Sequence, residues 1–500
     1  MSESEFSDTV TKRDEEIANS LQILCLLDEP RELARASRVS HRWHKLVNDD
    51  MVWKEMCSKH AYRTASASQD SLDAVPPPLR HHPYSLGHEP RNDNMALVAS
   101  SSAPNLSSVS EDSTSIVPKY NGPSSQAHYL HFRNKYLIEA AWRKGGESIV
   151  KPITTDQGVV TSLYLTEKYI VVAMDNAKIH VFNRLGEHQK TLRGHVMGVW
   201  AMVPWDDILV SGGCDRDVRV WNMATGKHIH TMRGHTSTVR CLKMADARTA
   251  ISGSRDTTLR IWDLETGLSR AVLGGHQASV RCLAIHGDLV VSGSYDTTAK
   301  IWSIKDGRYL RTLSGHFSQI YAVAFDGRRI ATGSLDTSVR IWNPSNGQCI
   351  GVCQGHTSLV GQLQMRGDIL VTGGSDGSVR VWDLNTSEAI HRLAAHDNSV
   401  TSLQFDDNRI VSGGSDGRVK IWSVATGQLI RELIAPAEAV WRVAFEEEKA
   451  VIMASRGNRT VMEVSHASFP LGRHYTDMRF LDMVLLTTWI LSFCRFHDRR

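Results

Sequence analysis

The chain has 500 residues, too many for one ordinary core, so two or three folded units with linkers are expected. Its 57 basic against 54 acidic residues leave a net charge of +3, which excludes bulk attraction to nucleic acid or acidic membranes; anion recognition has to come from a local cluster. Eight cysteines without paired CxxC spacing read as a reduced, intracellular chain.

In chain order, residues 1–16 are polar and acidic, expected to be disordered and unlike a secretory signal. Residues 17–62 carry apolar residues at helical spacing: Leu21, Leu24 and Leu27, then Ala36, Val39, Trp43 and Leu46, with Pro30 between the two sets. This predicts a small all-α unit. Residues 63–127 are rich in Ser and Pro with almost no apolar periodicity, and are expected to form a disordered linker. Over 128–156 a helical linker is expected, since Tyr129, Phe132, Tyr136 and Ala140 share one helical face.

From 157 to 466 the chain repeats itself. Gly-His ends at His195, His235, His276, His316 and His356, and His396 follows in the variant AAH, at spacings of 40, 41, 40, 40 and 40. Each repeat then supplies a Ser or Thr, an Asp and a Trp: Ser211/Asp215/Trp221, Ser252/Asp256/Trp262, Ser292/Asp296/Trp302, Thr332/Asp336/Trp342, Thr372/Asp376/Trp382 and Ser412/Asp416/Trp422. Period-two runs such as VRVW and LRIW lie between them. This pattern resembles the WD40 repeat, in which about four short strands form one propeller blade and radial stacking protects the sheet edges. Two degraded repeats, 158–182 with Phe182 for Trp and 439–464, bring the expected count to eight blades. The His/Asp pairs look catalytic, but a pair repeated six times at scaffold positions is read as structural. The tail 467–500 is of uncertain structure. Its apolar run 480–493 contains Asp482 and is shorter than the ~20 residues a membrane helix needs, so no membrane partner is expected.

Arginine appears where the repeat should build a strand: GHTSTVRCL (234–242) and GHQASVRCL (275–283) each place one after Val. Cys241 and Cys282 follow them and read as small buried hydrophobes. Five residues after each His stand Trp200, Arg240, Arg281, Tyr321, Gly361 and Thr401, with Trp441 in the matching place of the last repeat. Just before each turn Asp stand Cys214, Arg255, Tyr295, Leu335, Ser375 and Ser415. Neither set contains an acid. In WD40 propellers these slots border the central channel, so Arg240, Arg255 and Arg281 are expected to converge. Their repulsion calls for an anion, and the planar guanidinium suits phosphate.

The order of Ile23, Leu24, Leu27, Leu33, Val39, Trp43 and Trp53 resembles the F-box, whose usual Leu-Pro opening is absent: its place is held by Glu15, Glu16 and Ile17. Together with the local sequences TSTVRCL, ISGSRDTTLRIWDLETG and SVRCL, the chain resembles the F-box/WD40 phosphodegron receptors of yeast and animals, the archipelago group. The resemblance implies a mainly β architecture: an eight-bladed propeller preceded by an F-box and a helical linker. It implies that Arg240, Arg255 and Arg281 grip a phosphothreonine followed by proline, that Tyr295 and Trp200 line the pocket beside it, and that Arg216 reaches a second acid or phosphate. The seven F-box residues would contact a Skp-type adaptor and, through it, a cullin. The implied role is a non-enzymatic, cofactor-free substrate receptor of an SCF-type ubiquitin ligase, in cell cycle regulation, in nucleus and cytoplasm. Its rival is a WD40 scaffold without ligase linkage. An enzyme is not expected, because no nucleophile, phosphate loop or metal-ligand spacing accompanies the repeated pairs.

Overall fold

A computed structural model describes residues 20–60, 127–144, 147–152, 158–446 and 448–466. The expected disordered N-terminus, all but the last residue of the 63–127 linker, and the 467–500 tail lie outside the described residues. The chain divides into two compact units, with the boundary between Leu137 and Ile138.

The first unit is helical. After a helical stretch at 20–25 come Pro30–Ala36, His41–Val47 and Asp50–Lys59. Pro30 opens the first of these at a position where its missing N–H costs nothing. The Ser40 hydroxyl accepts the Trp43 amide at 3.2 Å and the Asp49 carboxylate accepts the Met51 amide at 2.9 Å, so both following helices begin with a side-chain cap. Their apolar faces meet in a core of Leu24, Leu33, Leu46, Val47, Val52, Trp53 and Met56, closed by Phe132. The indole N–H of Trp53 donates to the Val47 carbonyl at 2.7 Å, so this buried ring keeps its polar end satisfied.

Phe132 belongs to a helix over Ala127–Lys144. Helix was expected to 156, but it stops at Lys144, and Glu147–Pro152 forms a strand instead. The physical reason is in the sequence: Gly145-Gly146 favours helix termination, and β-branched Ile149 and Val150 then suit an extended edge strand that ends at proline.

That strand completes the second unit. Eight four-stranded antiparallel sheets are present, seven of them built from consecutive strands: 160–192, 199–232, 239–273, 280–313, 320–353, 360–394 and 400–432, blades 1 to 7. Blade 8 takes three strands from 439–466 and its outermost from 147–152, in register Glu147↔His466 to Pro152↔Val461. The ring is therefore closed by hydrogen bonds between distant parts of the chain.

In blades 2 to 7 the repeated polar residues form one buried relay. In blade 3, Trp262 Nε1–H donates to Ser252 Oγ at 2.7 Å, Ser252 Oγ meets His235 Nε2 at 2.7 Å, and His235 Nδ1 meets Asp256 at 2.7 Å. Because the indole can only donate, the serine hydrogen is free to go to Nε2, and Nδ1–H then faces the carboxylate. Asp256 also accepts the amides of Thr236 (2.9 Å) and Thr258 (3.0 Å). The relay joins an inter-blade loop, two strands and a turn, which is why these residue types repeat.

Candidate functional site at the channel mouth

The innermost strand of every blade carries a β-bulge at one position. In blade 3 Val239 pairs with Ser254 and Cys241 with Gly253, leaving Arg240 without a partner. The same skip leaves Arg281 between Val280 and Cys282, and Tyr321 between Ile320 and Ala322. It recurs at Thr161, Trp200, Gly361, Thr401 and Trp441. A bulged residue leaves the in–out alternation of its strand and re-aims its side chain. That resolves the arginines: they stand at a bulged position of the strand, exempt from building the core.

The second slot is pinned beside the first. The Arg255 amide donates to the Thr238 carbonyl at 2.9 Å, two residues before Arg240, and the Tyr295 amide to the Ser279 carbonyl at 3.0 Å, two before Arg281. The side chains form one patch. The Arg240 guanidinium lies 4.9 Å from the Trp200 ring centroid, Arg281 lies 5.8 Å from that of Tyr321, and the rings of Tyr321 and Tyr295 are 5.1 Å apart.

Among the described residues none of Arg240, Arg255 and Arg281 has a carboxylate within salt-bridge distance. Burial, then Arg281, then Arg255 hold the pKa of Arg240 below its ordinary value. Three cations are thus close enough to repel, and an anion among them would relieve that repulsion. Burial pushes the Cys282 thiol up to about 12, and burial likewise raises Cys241, so both remain protonated at neutral pH and form inert wall below the arginines.

The structure brings Trp200, Arg240, Arg255, Arg281 and Tyr295 together. Arg216 is exposed on the blade 2 turn with φ of 71°, in a left-handed conformation where the matching positions of blades 6 and 7 hold Gly377 and Gly417. Sequence reasoning missed Arg442. Its Nε donates to the Thr161 carbonyl at 3.1 Å and its Nη1 to those of Thr401 (3.0 Å) and Trp441 (3.3 Å). Burial, then Arg281, lower its pKa. Extending the slot comparison by one residue would have found it, since Ser162, Ala201, Cys241, Cys282, Ala322, Gln362 and Ser402 hold that place elsewhere.

The proposed adaptor-contact residues divide sharply. Ile23 and Val39 are exposed, at 52% and 71%, as are Leu26 and Met51 nearby in sequence. Leu24, Leu33 and Trp53 are fully buried, and Leu27 and Trp43 pack partly against the same core. Direct contact by Leu24, Leu33 and Trp53 is therefore corrected to a core role: a side chain already enclosed in its own unit has no surface left for a partner.

Comparison with known proteins agrees with both parts. The F-box-like family matches residues 20–59, the WD domain, G-beta repeat matches 186–222 and 226–263, and the Neurobeachin beta propeller domain matches 265–432. The chain is 28% identical over 226 residues to WD repeat-containing protein pop1 of Schizosaccharomyces pombe, covering 44% of this chain and 24% of that protein. It is 39% identical over 90 residues to Cell division control protein 4 of Saccharomyces cerevisiae, covering 18% and 12% respectively. It is 27% identical over 224 residues to the probable E3 ubiquitin ligase complex SCF subunit sconB of Aspergillus oryzae, covering 43% and 29%. These matches span less than a third of each relative's own length. The crystal structure of the computationally designed Ika8 protein superposes with a TM-score of 0.59 at 33% identity, covering 63% of this chain and 98% of that one. A helical F-box-like segment followed by a closed ring of WD40 blades makes this chain an F-box/WD40-repeat protein.

Proposed function

We propose that the chain is the substrate-recognition subunit of an SCF-type ubiquitin ligase and that its propeller binds phosphorylated Thr-Pro segments of other proteins. The observation that carries this reading is the cluster of Arg240, Arg255 and Arg281, three cations without an acidic partner among the described residues, beside Trp200, Tyr295 and Tyr321. A phosphate accepts from several guanidinium groups at once, and each charged hydrogen bond contributes about 1.5–3 kcal/mol. The aromatic rings supply a wall for proline and neighbouring apolar residues. Arg216 is assigned to a second acid or phosphate downstream. The chain performs no bond chemistry. It holds a substrate lysine near a charged ubiquitin-conjugating enzyme and so raises its effective concentration.

The adaptor and cullin are assigned to the F-box-like unit, through the exposed Ile23 and Val39 rather than the enclosed Leu24, Leu33 and Trp53. The proposal places the protein in nucleus and cytoplasm, where its phosphorylated substrates would be made.

Fluorescence polarisation of a Thr-Pro peptide, phosphorylated and unmodified, against the full chain tests the propeller half. Binding of the phosphopeptide alone, weakened tenfold or more by Arg240→Ala, Arg255→Ala or Arg281→Ala, supports it; equal binding of both peptides, or of all variants, overturns it. Co-purification with a Skp-type adaptor and cullin tests the other half. Retention of both partners by Ile23→Ser with Val39→Ser overturns the assignment of the contact to those two residues, whereas absence of both partners from the native chain favours the WD40 scaffold.

A further inference from the structure

Blade 5 differs from blades 2, 3 and 6 in the state of one arginine. In blades 3 and 6 the arginine two residues before the repeated Trp is tied down: Arg260 donates to the Gly234 carbonyl at 2.8 Å and Arg380 to the Gly355 carbonyl. In blade 2, Arg219 pairs with Asp217 at 3.0 Å. Arg340 has no oxygen partner among the described residues. Its guanidinium lies 5.7 Å from the ring centroid of Phe317, and one N–H points to Cys349 Sγ at 3.9 Å. Phe317 is 86% exposed. The two line a groove of about 380 Å³ on blade 5, with Thr337, Ser338 and, from the loop leading to blade 6, Gln354 and Gly355. Asp336 also borders it, but its oxygens are occupied by His316 Nδ1 (2.7 Å), the Phe317 amide (3.0 Å) and the Ser338 amide (2.9 Å).

The groove is linked to the proposed phosphate site through the segment 317–321. Phe317 precedes Gln319 by two residues; the Gln319 side chain accepts the Tyr321 hydroxyl at 3.1 Å and its carbonyl accepts the Leu335 amide at 2.9 Å. Tyr321 in turn faces Arg281. An unpaired guanidinium beside an uncovered ring, at the end of an aromatic path from three other arginines, has the chemistry to take an acidic side chain flanked by an apolar one.

We propose that the Arg340–Phe317 groove is a second anion subsite for the same bound peptide, taking an acidic residue next to an aliphatic one. This rests on the phosphopeptide reading above. Its distance from the phosphate follows from the blade. Two strand spacings of about 4.8 Å separate the inner strand from that of Arg340, and together with the Arg281–Tyr321 contact they give a path of about 15 Å. At roughly 3.3 Å per extended residue, the acid lies about five residues from the phosphothreonine. It lies on the side away from Arg216, because blades 2 and 5 flank the arginine cluster on opposite sides.

The test uses the full chain and three peptides sharing one phosphothreonine-proline core. At the fifth and neighbouring positions on the N-terminal or the C-terminal side they carry Glu-Leu, phosphoserine-Leu or Ser-Ser. On one side, the Glu-Leu or phosphoserine-Leu peptide is expected to bind about five- to tenfold more tightly than the Ser-Ser peptide, and the stronger of the two identifies the anion as carboxylate or phosphate. Arg340→Ala should abolish that preference without changing affinity for the Ser-Ser peptide, Arg340→Lys should retain part of it, and Phe317→Ala should reduce it. Equal affinities of all peptides for the native chain, or a preference that persists in Arg340→Ala, overturn the subsite while the phosphate clamp stands. Failure of every peptide to bind overturns both. Thermal melting of Arg340→Ala coincident with the native chain rules out an effect through folding.

Discussion

The propeller holds two populations of charged residues within a few residues of each other, and they end in opposite states. His235 and Asp256 belong to a relay in which each nitrogen and oxygen meets a donor or acceptor. Arg240, only five residues after His235, meets a tryptophan face and two other arginines. The first group satisfies itself and so holds the blade together. The second is left electrostatically incomplete by the fold, and incompleteness at an accessible channel mouth points to a ligand. A charged residue therefore tells little by type alone; whether its partner is internal decides what it is for.

The most severe way to probe that contrast is to break the relay. Asp296→Ala strips the acceptor from His276 Nδ1 (2.6 Å), the Gln277 amide (2.9 Å) and the Thr298 amide (2.9 Å). The expected loss is about 3 kcal/mol of stability, read by urea denaturation, with peptide affinity retained in the folded fraction. A smaller loss than that of a surface Asp→Ala control would remove the structural reading. Arg281→Ala is its counterpart. It should cost about 1.5–3 kcal/mol of phosphopeptide binding, roughly ten- to a hundredfold, with stability unchanged or slightly raised as repulsion on Arg240 is relieved. A destabilised variant would place Arg281 with the scaffold.

Acid should separate the two populations as well. Burial depresses the pKa of His316, His356 and His396, so below about pH 6.5, the ordinary histidine value, the unfolded chain binds more protons than the folded one. Stability is therefore lost as pH falls. Asp336 and Asp376 are held at about 2 by hydrogen bonds from the amides and hydroxyls around them, despite burial; stability present above the unfolded carboxylate value is lost as pH falls toward 2. Denaturant melts at pH 7.5, 5.5, 4 and 3 should show this decline, and a flat profile would mean the relays titrate alike in both states. Peptide affinity should weaken below pH 6 for a different reason, protonation of the phosphate itself, and a glutamate-substituted peptide should lack that step. The smallest effect expected is for Trp200→Ala, about threefold in affinity, since a cation–π contact at a partly exposed site is worth about 0.5–1 kcal/mol.

The helical unit repeats the lesson without charge. Ile23 and Leu24 are adjacent and both apolar, yet Leu24 is enclosed and Ile23 is open to solvent. Leu24→Ala should destabilise the unit by about 2–5 kcal/mol, whereas Ile23→Ser should leave its melting unchanged and weaken adaptor capture.

Much of this architecture is written in the chain itself. Six Gly-His or Ala-His steps, each followed by Ser/Thr, Asp and Trp at constant spacing, determine six blades, because only one local geometry satisfies all four polar groups in every repeat. The positions five residues after each His and just before each turn Asp likewise distinguish Arg240, Arg255 and Arg281 within the sequence. What the sequence could not decide was anything that depends on a partner from far along the chain. The strand 147–152 is an ordinary extended segment until Arg459–His466 pairs with it. Arg442 becomes a channel cation only where Thr161 and Thr401 offer it their carbonyls. Arg340 differs from Arg260 and Arg380 by its contacts alone, although all three stand at the same place in the repeat. Spacing records what each repeat needs for itself; ring closure, bulges and facing blades determine which side chains are left without a partner.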